Sequence, residues 1–259
     1  MQHGVIQADG RLYVDNSILA TEAVCQTHAS LRYGLGYDAP GVRVKMNVGT
    51  AIHAGMDVFF AGGSVPDVLA AFEKAYTAMG IGQAIAAMDE KQQKGLQAYT
   101  LANLKVIVGE YCTRNAMLPF EVDTTTIEQG FAVLLDREFN IWYTGTPDVG
   151  KVVMRGSGSV YTVDTKSTGS YLTAEYKRGY RTASQVTGYL WGLREVTGLP
   201  YVGAFINAIN IKKIPDSNRR CSDHGVQYSE CGLMHAEMEL FPVTRTPQQI
   251  DAWRVNAIA

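Results

Sequence analysis

Lys151-Val-Val-Met154, Gly156-Ser-Gly-Ser159 and Val160-Tyr-Thr-Val-Asp-Thr-Lys166 read as a strand, a turn and a second strand. The β-branched and aromatic residues suit a pleated, half-buried surface, and the Gly-Ser repeat suits a hairpin turn. Side chains alternate along a strand, so Asp164 and Lys166 share one face and Thr165 takes the other. A three-residue turn would set Asp148, in Gly145-Thr-Pro-Asp148, nearly opposite Lys166. A slip of one residue would turn it to the wrong face.

Working outward, residues 183–194 read as a helix, and its spacing of four puts Gln185 and Tyr189 on one face. Strands follow at 201–211 and 235–240, and Thr246-Pro-Gln opens a last helix with proline at its first position. Upstream, strands are expected at about 125–135, 140–146, 149–155 and 159–166. Before Pro119 the pattern is helical. Helices are expected at 17–33 behind Asp15-Asn-Ser17, at 48–60 ended by Gly62-Gly63, at 66–79 and at 89–115. The expected organisation is one α/β domain over 1–259, with a helical part at 1–118 and a sheet core at 119–259.

Two neighbouring carboxylates raise each other's proton affinity unless a cation neutralises them. A hard divalent ion such as Mg²⁺ takes one or two carboxylates, water and substrate phosphate. It can polarise a phosphoryl oxygen and acidify a water, while a lysine beside it orients that water or stabilises charge. Asp148, Asp164 and Lys166 therefore suit attack of water on a phosphodiester. Gln185 and Tyr189 could hold the lysine, a water or a phosphate. Taken singly, each has an ordinary reading: a turn aspartate, an ion pair on a solvated face, a helix-surface amide, a partly buried phenol.

The ordered set Pro147-Asp148, Asp164-Thr-Lys166 and Gln185-x-x-x-Tyr189 resembles the PD-(D/E)XK nuclease superfamily, in its RecB-like and Cas4-like exonuclease branch. Gly49-Thr-Ala-Ile-His53 matches that branch's upstream helical histidine. The resemblance spans about residues 17–210. It implies a restriction-endonuclease-like core, a mixed central sheet flanked by helices. It also implies a Mg²⁺- or Mn²⁺-dependent DNA exonuclease of recombination, repair or phage DNA processing. Asp148, Asp164, His53 and the Thr165 carbonyl would be metal ligands, with Lys166, Gln185 and Tyr189 catalytic. Glu128 sits where the family often has a glutamate on the strand before the aspartate. The alternative is a nuclease-fold subunit that binds DNA ends within a recombination or CRISPR-adaptation complex. Partners would be DNA and a helicase, single-strand annealing or other recombination protein.

The chain has 259 residues, 46% of them hydrophobic, and a net charge of −2 from 23 basic and 25 acidic residues. That is unlike a generic nucleic-acid binder, so phosphate contacts must be local. Lys177, Arg178 and Arg181 are candidates, with a later cluster at Lys212, Lys213, Arg219 and Arg220. No signal peptide or membrane-length apolar run is seen, and a cytoplasmic protein of a bacterial or phage-infected cell is expected. Four cysteines argue against a disulfide framework. Cys25 matches the early cysteine of cluster-bearing Cas4-like proteins. With only Cys221 and Cys231 late, and Cys112 better suited to a core, an iron–sulfur cluster is not expected. Cys221-x-x-His224 and Cys231-x-x-x-His235 have zinc-ligand types and spacings, but suit a plain loop equally.

Overall fold

The computed structural model describes residues 4, 6–37, 41–212 and 236–257. Strand β1 (Leu12–Val14) leads into helices α1 (Asn16–Val24) and α2 (Gln26–Ala29), followed by a π-helical turn at Ser30–Gly34. A single helix over 17–33 was expected. The chain breaks at Cys25, whose backbone is extended, and α1 buries only Ile18, so no continuous apolar stripe holds the segment straight. Helices α3 (Val44–Phe60), α4 (Val65–Ala78), α5 (Ile81–Ala86), α6 (Glu90–Gly95) and α7 (Leu101–Arg114) complete the helical part. The long helix expected over 89–115 is two, because Leu96 leaves helical geometry and Thr100 is extended ahead of α7. Ser64 starts α4 with a capping box to Asp67 and proline in the first turn.

The strands are β2 (Phe120–Val122), β3 (Phe131–Asp136), β4 (Ile141–Gly145), β5 (Val149–Met154) and β6 (Val160–Thr168). Then come α8 (Ala174–Gly179), α9 (Ser184–Thr197), β7 (Tyr201–Asn210), β8 (Met238–Thr244) and α10 (Pro247–Ala257). They form two sheets rather than one, ordered β1-β4-β3 and β2-β5-β6-β7-β8. The larger sheet is mixed: β6 and β7 are parallel, joined by the crossover through α8 and α9, and its other pairs are antiparallel. The fold is thus α/β, with mixed sheets flanked by helices and a helical N-terminal part. Among the described residues no helix is long and apolar enough to cross a membrane.

Two strand expectations are displaced. The segment expected as a strand from 125 begins instead with a 3₁₀ turn at Thr124–Thr126, and β3 starts only at Phe131. The last strand runs over Met238–Thr244 and contains Pro242, tolerated because β8 is an edge and needs ladder bonds on one side only.

Alternation along β7 divides the interior. Phe205 and Ile209 join one core with Val48, Ile52 and Met56 of α3, Phe72 of α4, Leu104 and Tyr111 of α7, and Val149 and Val163. Ala204, Ile206 and Ala208 join the other, with Phe131, Tyr143, Leu190 and Trp191 of α9, and Trp253 of α10. Each fully buried aliphatic or aromatic side chain contributes roughly 1.5–3 kcal/mol. Helix α3 therefore lies on one face of the sheet and α9 on the other.

Candidate metal centre

The site forms where strand β5 begins. The β5–β6 ladder ends at the Val149–Val163 pair, yet β6 continues to Thr168. Thr165 N–H consequently lacks a strand partner, and Asp148, in the bend before β5, accepts it with Oδ2. The register differs from the sequence expectation. A longer turn and an irregularity between Val149 and Val152 bring Asp148 level with Asp164, not Lys166. The two carboxylates thereby become neighbours, as the chemistry requires.

Asp148 is buried, and its Oδ1 lies 2.8 Å from Nδ1 of His53 on α3. Gly49 sits where α3 comes close to β6: a Cβ there would stand 3.1 Å from Ser167 Oγ, a tight contact that glycine avoids. Glu128 completes the group. It lies not on a strand but between the 3₁₀ turn and β3, with a left-handed φ of 51°. Its N–H donates to the Asp148 carbonyl at 3.0 Å, and the adjacent Ile127 bridges to Val149. Ligand atoms of His53, Glu128 and Asp148 all lie within 4.8 Å of one another. An imidazole and two carboxylates at that spacing fit a divalent cation by donor type.

Asp164 and Lys166 stand beside this group as an ion pair of 2.9 Å on the α9 side of β6. Burial raises the Asp164 carboxyl, Lys166 lowers it and Asp148 raises it, with a net rise. For Glu128, partial desolvation, then the charges of Asp57 and Asp148, push it up to about 7 although its residue sits on an exposed rim. Its carboxylate faces inward, toward His53 and Asp148, which accounts for both facts. Burial pulls His53 down, but its bond to Asp148 and the Asp148 and Asp164 charges outweigh it, and the imidazole ends above its ordinary value. These shifts describe a concentrated negative site around one imidazole.

On α9, Gln185 Nε2 donates to Tyr189 Oη at 3.0 Å, and Tyr189 Oη donates to the Thr146 carbonyl at 3.4 Å. These two residues thus brace each other and the loop before Asp148; Lys166 is held by Asp164 instead. The helix docks closely because Gly188 and Gly192 face aromatic rings: a Cβ on Gly188 would meet Tyr143 Oη at 2.3 Å, and one on Gly192 would meet Phe131 at 2.1 Å.

Three contributors escaped the sequence reading. Asp57, one helical turn beyond His53, has a buried Oδ1 without a hydrogen-bond partner, and burial, then Asp148, push its carboxyl up to about 6. Its spacing of four from His53 was the available signal. Asn207, fully buried opposite Thr165 on β7, donates to Thr165 Oγ1 at 3.1 Å and so backs the Asp148 contact. Tyr111 lies against Asn207, its phenol raised by burial. Only strand register reveals Asn207, and only the packing of α7 against the sheet reveals Tyr111.

Of the expected phosphate contacts, Lys177 is tied to Glu239 at 2.8 Å, Arg178 reaches Glu175 at 3.9 Å, and Arg181 is exposed after α8. Cys25 is exposed and Cys112 buried in α7, each a free thiol. Cys221, His224, Cys231 and His235, with Lys213, Arg219 and Arg220, lie outside the described residues.

No family model and no curated relative matches this sequence. The fold is similar to the crystal structure of an exonuclease candidate from Eubacterium rectale, with a TM-score of 0.52 and 12% identity. The likeness covers 96% of this chain and 78% of that one. At that identity it bears on the fold alone, and the class it supports is an α/β protein with a nuclease-like core.

Proposed function

We propose that this chain is a Mg²⁺- or Mn²⁺-dependent deoxyribonuclease of the PD-(D/E)XK kind, acting from DNA ends as RecB-like exonucleases do. One observation carries the reading. His53 from a helix, Glu128 from a loop and Asp148 from a strand start bring ligand atoms within 4.8 Å of one another, beside the Asp164–Lys166 pair. Nothing in core packing demands such a crowd of acids, and each raised carboxyl records its cost.

His53, Glu128 and Asp148 would hold the cation, with Asp164 joining once Lys166 turns to substrate, and with the Thr165 carbonyl on the same strand edge. The cation supplies charge for the phosphoryl oxygen and lowers the pKa of water. Lys166 orients the attacking water and balances negative charge as the phosphorus–oxygen bond breaks. Gln185 and Tyr189 keep the Thr146–Asp148 loop in place and offer an amide to the backbone. Thr165 N–H, backed by Asn207, fixes the Asp148 carboxylate.

Time courses on end-labelled single- and double-stranded DNA with Mg²⁺, Mn²⁺ or EDTA test this. Cleavage should need the metal, and Asp164→Ala and Lys166→Ala should each lower it by at least roughly 100-fold while the fold persists. Full activity in either purified variant refutes the assignment. Covalently closed circles cut as fast as linear DNA would remove the end-dependence.

A further inference from the structure

Strand β6 carries Asp164 and Lys166, and the chain leaves it after Thr168 through a turn that holds a tyrosine ring out to solvent. Tyr171 is 71% exposed, yet its backbone is fixed on both sides. Ser170 N–H donates to Thr168 Oγ1 at 3.0 Å, Leu172 N–H to Glu237 Oε1 at 2.7 Å, and Thr173 N–H to the Tyr171 carbonyl at 2.9 Å. The adjacent Leu172 is buried in the α9-side core. A ring presented on a pinned turn is preorganised, so a ligand that covers its face orders little else. The turn also lies at the carboxyl ends of the parallel pair β6 and β7, where open α/β sheets take their ligands.

Cations flank this ring on both sides. Downstream, α8 and the 3₁₀ turn at Tyr180–Thr182 interleave tyrosines with Lys177, Arg178 and Arg181. Glu239 neutralises Lys177, but the Arg178 guanidinium stays 66% exposed, 3.9 Å from Glu175. Arg181 is exposed and pairs with no carboxylate among the described residues. This segment is anchored beside the Asp164–Lys166 pair: Tyr176 and Tyr180 hydroxyls meet at 3.0 Å, Arg245 donates to the Tyr180 carbonyl at 2.9 Å, and the Asp164 charge reaches the Tyr180 phenol. On the α3 side, exposed Lys45 stands 5.9 Å over the Tyr99 ring, again with no acidic partner among the described residues. Tyr99 reaches the same strand end, since a Cβ on Gly169 would stand 3.2 Å from its Oη. Lys45 lies in the first turn of α3, where the helix dipole disfavours a positive charge, so the helix gains nothing from it.

These cations are few, and the chain as a whole carries a net charge of −2. A grip on duplex DNA through many neutralised phosphates is not what such a surface supplies. An open aromatic face with a few cations around it suits unpaired bases, whose flat faces a duplex keeps inside its own stack. We propose that the turn after β6 and the α8 segment form a platform for single-stranded DNA. Tyr171 stacks on an unpaired base, Lys45, Arg178 and Arg181 meet neighbouring phosphates, and unpaired ends are shortened in preference to blunt duplex ends. The cutting rests on the nuclease reading above; the strand preference rests on this surface.

Binding is measured by fluorescence anisotropy with the full chain in Mn²⁺, on a Lys166→Ala background so that strands stay whole. The probes are a labelled strand of about 20 nucleotides, longer than a typical single-strand site, and the blunt duplex of the same sequence. The strand should bind at least roughly tenfold tighter than the duplex. Tyr171→Ala should weaken strand binding roughly tenfold, and Tyr171→Trp should retain it. Arg181→Gln should lower the slope of log affinity against log salt by about 0.7. Equal or tighter duplex binding, unchanged strand affinity in Tyr171→Ala, or an unchanged salt slope overturns the platform. With the wild-type chain, a blunt duplex shortened as fast as the strand overturns the end preference. Should no DNA be cut with any metal, the nuclease reading falls, and the anisotropy still decides the platform.

Discussion

Glu128 shows what a single residue contributes. Its left-handed backbone is uncommon for a side chain with a Cβ, and the Asp148 carbonyl holds it there. That conformation turns the carboxylate toward His53 rather than along a strand. Glu128→Gln keeps the shape and removes the charge, and should weaken Mn²⁺ binding at least roughly tenfold by calorimetry, leaving the melting temperature of the metal-free chain equal or higher. Unchanged affinity would take Glu128 out of the ligand set. The raised carboxyls also set a pH dependence. Glu128 holds its proton to about 7 and Asp57 to about 6, above their ordinary values, so between those limits the folded chain binds more protons than the unfolded one. Stability therefore falls as pH rises through this window. His53, also raised, acts in the same sense: its contribution is present at low pH and lost as pH passes its folded value. The metal-free melting temperature should drop by a few degrees from about pH 5.5 to 8, and saturating Mn²⁺ should flatten the slope. A melting temperature that climbs over that interval would contradict the charge assignment.

Helix α9 and strand β6 set the site at the level of elements. Gly188 and Gly192 sit four apart on the face of α9 that meets Tyr143, Trp253 and Phe131. Adding a methyl at Gly192 gains helix propensity of about 1 kcal/mol but forces Phe131 or the helix to move. Gly192→Ala should lose about 1–3 kcal/mol in urea denaturation and reduce activity as Gln185 and Tyr189 shift. A stabilised variant would mean that the ring yields without cost. On the other side, Asn207 ties β7 to β6 behind the metal group. Asn207→Leu strips Thr165 Oγ1 of its donor and should cost about 1–3 kcal/mol, with weaker metal binding as Asp148 loses its fixed anchor. Equal metal affinity would confine Asn207 to a packing role.

For the whole molecule, the helical part and the sheet share a core. Val48, Ile52 and Met56 of α3 share a core with Val149, Val163, Phe205 and Ile209, and α3 also carries His53 and Asp57. A fragment of residues 119–259 would expose that face of the sheet. It should aggregate or give a collapsed amide NMR spectrum, while the full chain melts in one cooperative step. A well-dispersed spectrum from the fragment would divide the chain into two domains.

Local pattern decided much of this. The alternation that puts Asp164 and Lys166 together, the helical spacing of Gln185 and Tyr189, and the Gly49–His53 interval are properties of strand and helix periods, and the folded chain keeps them. Asp148 could be named as a participant, but not placed, because a longer turn and one irregularity in β5 together move it two positions along its partner strand. The strands β1 and β2 span three residues each and exist only by pairing with β4 and β5, so no local signal announced them. Glu128 and Asn207 became parts of a site through a left-handed turn and a parallel register. Periods of 2 and 3.6 residues are written in the order of the chain; distances between segments far apart in it are set by how the sheet and helices close on one another.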